Sequence, residues 1–165
     1  TFSKLKGSRD SVIAKIVIGV VLGALAIFGT LWGMKLEDGT IINVRELAAM
    51  IAGAAGGPVG GVLAGLIGGI HRFTVGGATA LPCAISTITI GLVTGLLASR
   101  ISGKWYLLKG AALAFALESA AMGLVLVLVP FSQSVAIVET VYFSMIGANT
   151  IGFILWLYLS KKIKT

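Results

Sequence analysis

Residues 53–61 read Gly53-Ala54-Ala55-Gly56-Gly57-Pro58-Val59-Gly60-Gly61 and lie within a long apolar stretch. Glycine recurs here at every fourth position, at Gly53, Gly57, Gly61, Gly65 and Gly69. Such a row of small residues allows helix backbones to touch inside a membrane. Pro58 interrupts the row, because proline removes an intrahelical hydrogen bond and clashes with the preceding turn. We therefore predict two helical arms, 44–56 and 58–72, broken at Gly56-Gly57-Pro58.

The two arms are short for membrane helices. At about 1.5 Å per residue each reaches roughly 20 Å, whereas the hydrocarbon core of a bilayer measures about 30 Å. Short, glycine-interrupted segments occur at membrane depth where they are buried in protein or line a cavity. The pattern therefore places this pair of arms inside the protein, either around a site or for tight packing alone.

Composition assigns the rest of the chain to a membrane as well. Of the 165 residues, 57% are apolar and 12% are charged, and the mean hydropathy is +1.03. These values predict an integral membrane protein that forms one domain, residues 1–165. The net charge of +7 does not indicate nucleic-acid binding, since the basic residues flank apolar segments and form no basic face. The single cysteine excludes an internal disulfide and a cysteine metal cluster, and we expect no metal and no cofactor.

Apolar segments alternate with short polar loops along the chain. We predict an all-α, polytopic membrane helical bundle of about six hydrophobic segments, at 12–34, 44–56, 58–72, 82–99, 107–129 and 134–159. Turn-rich loops at 35–43, 73–81, 100–104 and 130–133 separate the segments. Pro82 suits the first position of its helix, where the missing N–H group would have had no helical partner. An even number of segments returns the chain to the side on which it began.

The basic residues predict which side that is. Ten of them lie on the side of both chain ends: Lys4, Lys6, Arg9, Lys15, Arg100, Lys104, Lys109, Lys161, Lys162 and Lys164. The other three, Lys35, Arg45 and Arg72, lie on the opposite side. Because cytoplasmic loops carry an excess of lysine and arginine, we expect both ends to be cytoplasmic. Arg45 and Arg72 are then exceptions on the outer side.

These two arginines predict an anion site. Arg45 opens the first arm and Arg72 closes the second, so a hairpin bent at Pro58 brings both to the same outer face. The helix that begins at Pro82 starts on that face, where free N–H groups and the positive end of the helix dipole favour an anion. Its first turns carry a thiol and two hydroxyl groups, on Cys83, Ser86 and Thr87. Guanidinium forks pair with carboxylate oxygens, so the chemistry is that of a small-carboxylate site.

Each of these side chains also has a simpler interpretation. The arginines could reach lipid headgroups or bind lipid phosphate, Cys83 could be a small buried apolar residue, and Ser86 could hold helices together. Glu118 and Asn149 lie in the middle of later membrane segments, and we expect them, together with Thr87, to support the site. Glu118 could pair with an arginine, carry a proton or be a structural residue.

Enzymatic chemistry is not indicated. The sequence has no nucleophile with a partnering base, no metal-ligand cluster and no phosphate-binding loop with a lysine. We therefore expect the chain itself not to be an enzyme.

The motifs around the arginines resemble a known family, the five-transmembrane receptor domain of the LytS/YhcK type. They are Asn43-Val44-Arg45, Gly56-Gly57-Pro58-Val59-Gly60-Gly61, Gly68-Gly69-Ile70-His71-Arg72, Gly76-Gly77-Ala78-Thr79-Ala80-Leu81, Cys83-Ala84-Ile85-Ser86-Thr87 and Gly91-Leu92. The resemblance extends over nearly the whole chain, to Gly29-Thr30 in the first segment and Asn149-Thr150 in the last.

This resemblance implies the sensory region of a LytS-like histidine kinase in a bacterial inner membrane, and one branch of that family senses extracellular pyruvate. The pyruvate-binding residues of that branch are two arginines, a cysteine and a serine, which correspond to Arg45, Arg72, Cys83 and Ser86. Family members have a helix before the first segment seen here and a cytoplasmic output module after the last. We therefore expect the chain to be a piece of a longer receptor. Its parent would be a two-component sensor histidine kinase that forms a homodimer.

The leading hypothesis is a membrane sensor domain that binds pyruvate or a similar small carboxylate and otherwise contacts membrane lipid. An alternative is a transporter, or the substrate-binding component of one, because discontinuous helices and a buried anion site are also transporter features. A third interpretation is a structural or membrane-state sensor without a ligand, in which the arginines contact only lipid.

Overall fold

The computed structural model of the chain describes residues 11–37 and 39–164 and contains five long helices in that part. The helices are α1 (Val12–Leu31), α2 (Arg45–Val75), α3 (Ala80–Leu97), α4 (Tyr106–Leu128) and α5 (Phe131–Lys164). All five are long and apolar enough to cross a membrane. The predicted all-α membrane bundle is confirmed. Lys4, Lys6 and Arg9, which contribute to the predicted orientation, lie outside the described residues.

The predicted break in the glycine-rich segment is confirmed at Gly57. Its backbone angles are φ 66° and ψ −163°, which interrupt α2 and divide it into a first arm, 45–56, and a second arm, 58–75. The two arms fold against each other, because a Cβ atom placed on Gly61 would lie 2.9 Å from Gly53 Cα. Similarly, a Cβ atom on Gly60 would lie 2.9 Å from Ala52 O. The five helices therefore provide six apolar segments, and the arms form an antiparallel hairpin.

Neighbouring helices approach this hairpin at its glycines. A Cβ atom on Gly61 would overlap the carbonyl oxygen of Gly91 in α3, and one on Gly95 would lie 2.6 Å from Gly57 C. On the other side, a Cβ atom on Gly19 of α1 would lie 3.0 Å from Gly60 O. The row of small residues thus brings three backbones into contact, as its spacing predicts.

The polar loop between α1 and α2 contains a short β-hairpin that the sequence analysis did not predict. α1 ends at Leu31 and not at 34, and strand β1 (Met34–Lys35) pairs antiparallel with strand β2 (Ile41–Ile42). Extended structure suits the β-branched pair Ile41–Ile42 better than helix. Asn43 follows the second strand and leads directly into Arg45.

Several predicted helix ends also differ from the structure. The second arm continues to Val75, and α3 begins at Ala80, so Pro82 is the third helical residue and not the first. Proline is tolerated there because the first four N–H groups of a helix have no intrahelical acceptor. α4 (Tyr106–Leu128) lies one residue before the predicted range of 107–129. α5 is longer at both ends than 134–159, because its first turn forms directly after Pro130 and its basic tail continues the helix.

Apolar packing joins the hairpin to α4 and α5. One buried cluster contains Met50 of the first arm, Ile90 of α3, Ala114 and Ala121 of α4, and Phe153 of α5. A second cluster lies nearer the α4–α5 turn and consists of residues of those two helices: Met122, Val125, Val129, Ile137, Val141, Met145 and Ile146. Large apolar side chains also cover the outer surface, as a lipid environment allows.

Candidate ligand-binding site

Arg45 begins α2 and is completely buried. Its backbone lies against α1, since a Cβ atom on Gly29 would lie 3.4 Å from Arg45 N. The Arg45 N–H group donates to Asn43 Oδ1 at 2.8 Å, and Asn43 Nδ2 donates to Ile41 O at 3.0 Å. Asn43 therefore satisfies one of the free N–H groups at the start of the helix and sets where the arginine side chain begins.

The Arg45 side chain connects the hairpin to α3. Arg45 Nε donates to Thr87 Oγ1 at 2.8 Å, while Arg45 Nη2 forms a salt bridge with the carboxylate of Glu46. Thr87 Oγ1 lies 3.2 Å from Glu46 Oε1 and 2.7 Å from Cys83 O. Arg45 Nη1 has no hydrogen-bond partner in the described part of the chain. One face of the guanidinium fork is thus held in place and the other retains a free donor.

Arg72 lies near the end of the second arm and is also completely buried. Arg72 Nη2 donates to Thr79 Oγ1 at 2.9 Å, and Arg72 Nη1 donates to Gly76 O. Gly76 has φ 78°, a left-handed conformation that glycine adopts without steric cost and that directs this loop past the guanidinium. Arg72 Nε has no acceptor among the described residues.

The hairpin brings the two arginines into one region. A Cβ atom on Gly68, one turn before Arg72, would lie 3.6 Å from Arg45 Cγ and Cδ. The two guanidinium groups lie near each other, and the Cys83 side chain lies near both. Two buried positive charges with free N–H donors form a region where an anion would be stabilised.

The predicted side chains of α3 lie in this region, and some of the N–H groups at the start of this helix are already bonded. Because α3 begins at Ala80, the Cys83 N–H group already donates to Thr79 O at 3.0 Å. The free N–H groups expected at the start of this helix therefore do not include that of Cys83. Ser86 is buried and donates from Oγ to Cys83 O at 3.0 Å, which leaves its oxygen lone pairs as acceptors.

Glu118 and Asn149, the predicted supporting residues, are completely buried in α4 and α5. The Glu118 carboxyl group lies near the side chains of Glu46, Asn149 and Arg45. Neither oxygen of Glu118 and neither polar atom of the Asn149 amide has a hydrogen-bond partner among the described residues. The cluster around Arg45 thus extends to both of these helices.

Sequence reasoning missed Glu46, which contacts Arg45 and Thr87. A signal was present, because an acidic residue at the start of an apolar membrane segment is rare and marks a functional position by default. Its position beside Arg45 in the sequence also indicated a counter-charge. Thr87, expected only to support the site, is the residue that joins Arg45 and Glu46 to α3.

Thr87→Val should lower the free energy of unfolding by about 1–3 kcal/mol, because it leaves the buried Arg45 Nε without an acceptor. Thr94→Val is the matched control on the same helix, since Thr94 is buried and its hydroxyl has no partner among the described residues. Thermal unfolding of the purified protein in detergent measures both variants. Equal melting temperatures for the two variants would contradict the role assigned to Thr87.

A hairpin of half-length helical arms that buries two arginines beside three further membrane helices defines a polytopic membrane domain with an internal polar site. The family model described as 5TMR of 5TMR-LYT matches residues 1–163. The chain belongs to this family and is a sensory transmembrane domain of the LytS and BtsS type of sensor histidine kinase. It is a multi-pass inner-membrane domain.

Curated relatives agree with this assignment. The chain is 35% identical over 150 residues to the sensor histidine kinase BtsS of Escherichia coli K12. This alignment covers 87% of the present chain and 27% of BtsS. It is 34% identical over 149 residues to the sensor histidine kinase YpdA of the same organism, in an alignment that covers 88% of the present chain and 26% of YpdA. The sensor protein LytS of Bacillus anthracis is 28% identical over 185 residues, in an alignment that covers 99% of the present chain and 30% of LytS.

The chain thus spans less than a third of the length of the curated relatives it matches. No solved structure gives a significant match.

Proposed function

We propose that this domain binds pyruvate, or a similar small carboxylate, from the extracytoplasmic side and relays its presence to a cytoplasmic output. The ligand lies between Arg45, Arg72, Cys83 and Ser86. Residues 1–165 act as one sensing domain. This assignment agrees with the pyruvate-sensing branch that the sequence motifs resemble.

The observation that carries the proposal is a pair of free donors on two buried arginines. Arg45 Nη1 and Arg72 Nε have no acceptor in the described part of the chain, although both residues are completely buried. Buried N–H donors in native proteins are nearly always satisfied, so an acceptor is expected to occupy this place. A carboxylate has two oxygens and can accept from both arginines, and each such charge-assisted bond is stronger than a neutral one.

The side chains of α3 suit the remainder of a 2-oxo acid. The Cys83 thiol lies near both guanidinium groups, and Ser86 is buried one turn further along the helix. A thiol is a weak donor that can meet a keto oxygen, and the Ser86 hydroxyl can reorient toward the ligand.

Sidedness follows from the basic residues. Arg45, Arg72 and Lys35 lie on the side opposite Arg100, Lys104, Lys109 and the basic end of α5. With both chain ends cytoplasmic, the excess of lysine and arginine is cytoplasmic and the arginine site faces outward.

Signalling requires that the ligand bind two conformations of the domain with unequal affinity. The hairpin approaches α1 and α3 backbone to backbone at Gly60, Gly61 and Gly95, and in this proposal these contacts are where the helices slide. α5 reaches from the Asn149 level of the site to Lys164 and is the element that leads toward a cytoplasmic module. The whole receptor is a homodimeric sensor histidine kinase in this proposal, and kinase activity resides outside the chain.

Calorimetric titration of the purified domain with pyruvate, lactate and acetate tests the proposal. Saturable binding of pyruvate is expected, and Arg45→Ala should weaken it by about 30-fold or more, because truncating one partner of a buried charge pair costs at least about 2 kcal/mol. Arg100→Ala is the control, since Arg100 is an exposed arginine in the short 3-10 turn, Ala98–Arg100, that follows the far end of α3. A folded domain that binds none of the three acids would overturn the proposal.

The break at Gly57 favours a second candidate, a transporter or its substrate-binding component, because transporters place anion sites at discontinuous helices. Proteoliposomes that contain the domain distinguish the two functions. Accumulation of labelled pyruvate inside the vesicles would favour transport, whereas binding without accumulation is expected for a receptor.

A further inference from the structure

Arg45 already has an internal partner. Glu46 Oε1 pairs with Arg45 Nη2 and lies 3.2 Å from Thr87 Oγ1. A ligand carboxylate can accept from the free Arg45 Nη1 while Glu46 stays in place, but it engages Arg45 through both terminal nitrogens only if it takes the place of Glu46. The displaced carboxyl group is buried and needs new partners, because an unpaired buried charge is strongly unfavourable.

Helix geometry places Glu118 and Asn149 in the same layer as Glu46. Met50, Ala114 and Phe153 pack together in one apolar cluster. Glu46 lies four residues before Met50, Glu118 four residues after Ala114, and Asn149 four residues before Phe153. Residues four apart share one helix face, one turn from each other. The chain directions of the three helices put all three polar residues on the same side of that cluster.

This layer contains an unusual number of unpartnered polar atoms. Both oxygens of Glu118, both polar atoms of the Asn149 amide, and Glu46 Oε2 have no hydrogen-bond partner in the described part of the chain. All three residues are at most 1% exposed. Asn149 Nδ2 is a free donor, and the carboxyl group of Glu118 in its neutral form is a second. Two donors on adjacent helices form a receptor for one carboxylate.

We propose that Glu46 is the resident counter-ion of Arg45, which the ligand's carboxylate displaces, and that Glu46 then turns to Asn149 and Glu118. The inference rests on the proposed function and names the residues that regulate its site. One carboxylate replaces another on Arg45, while the released Glu46 accepts hydrogen bonds from Asn149 Nδ2 and neutral Glu118. No proton enters or leaves the site. Binding at the hairpin thereby creates a new contact with α4 and α5.

Pyruvate titration of a Glu46→Gln variant is the first test. Removing the competing carboxylate should tighten binding by about tenfold, which corresponds to about 1.4 kcal/mol. Glu139→Gln is the matched control, since Glu139 is an exposed glutamate of α5, and its affinity should equal that of the unmodified chain. Unchanged or weaker binding by Glu46→Gln would overturn the inference and leave the carboxylate receptor intact.

A double-mutant cycle tests whether the displaced Glu46 turns to Asn149. Asn149→Leu should weaken pyruvate binding by about tenfold in the unmodified chain, because the released Glu46 loses a donor. In the Glu46→Gln background it should have no effect, since no carboxylate is released there. Additive effects on affinity would indicate a merely structural role for Asn149 and would overturn the inference.

Infrared difference spectroscopy of the unmodified chain supplies a readout that needs no destabilising variant. Addition of ¹³C-labelled pyruvate should shift a protonated carboxyl band, and Glu118→Gln should remove that shift. Binding that leaves every protein carboxyl band unchanged would overturn the inference alone. Absence of binding to the unmodified chain would overturn the proposed function and the inference together.

Discussion

Arg72→Ala is expected to lower the affinity for pyruvate by about 100-fold or more, the largest effect of any single substitution in the site. Arg72 is completely buried and retains a free donor at Nε, while its two other nitrogens are bonded to Gly76 O and Thr79 Oγ1. Its removal takes away a charged donor to the ligand, and losing such a partner in a buried site costs about 2–5 kcal/mol. Calorimetric titration of the purified variant measures the change.

Two further variants separate ligand binding from loop structure. Thr79→Val removes only a contact that positions Arg72 and should weaken binding by less than about tenfold, because a single hydrogen bond contributes about 0.5–1.5 kcal/mol. Arg72→Lys retains the charge but not the planar fork, so its affinity should fall between those of Thr79→Val and Arg72→Ala. Pyruvate affinity in Arg72→Ala equal to that of the unmodified chain would show that the ligand lies elsewhere.

Gly61→Val should abolish correct folding, the largest stability effect that the structure predicts. A Cβ atom at this position would overlap the backbone carbonyl of Gly91, and Gly53 Cα lies 2.9 Å away on the opposite arm. Backbone atoms cannot move aside as a flexible side chain can, so the second arm must separate from α3. The loss in free energy of unfolding therefore exceeds the roughly 1–3 kcal/mol that ordinary overpacking of a core costs.

Gly123→Val is the matched control for that substitution. Gly123 lies inside α4, and a Cβ atom there would have no described neighbour within 4 Å. The yield of monodisperse protein in detergent and its melting temperature compare the two variants. Equal behaviour of Gly61→Val and Gly123→Val would mean that the hairpin and α3 are not in backbone contact.

Much of the fold could be predicted from local patterns. The break at Gly56-Gly57-Pro58 follows from the chemistry of glycine and proline, and the structure has it at Gly57. The apolar segments follow from hydropathy, and the position of Arg45 and Arg72 at the same end of the two arms follows from the break between them. Helix ends were less well predicted: α3 begins at Ala80 and α5 at Phe131. The reason is that the first turn of a helix tolerates residues that its interior excludes.

The sequence alone specified a membrane bundle with a broken, glycine-lined hairpin, two arginines at the ends of its arms, and a family of sensor domains. Those properties depend on residue type and short spacing, which a linear chain displays directly. Which side chains of the site bond to each other could be seen only in the folded molecule. Thr87 meets Arg45 across 42 positions and Glu46 across 41, and these pairs exist only because the hairpin packs against α3. Which donors of Arg45 and Arg72 remain free is therefore a property of tertiary packing.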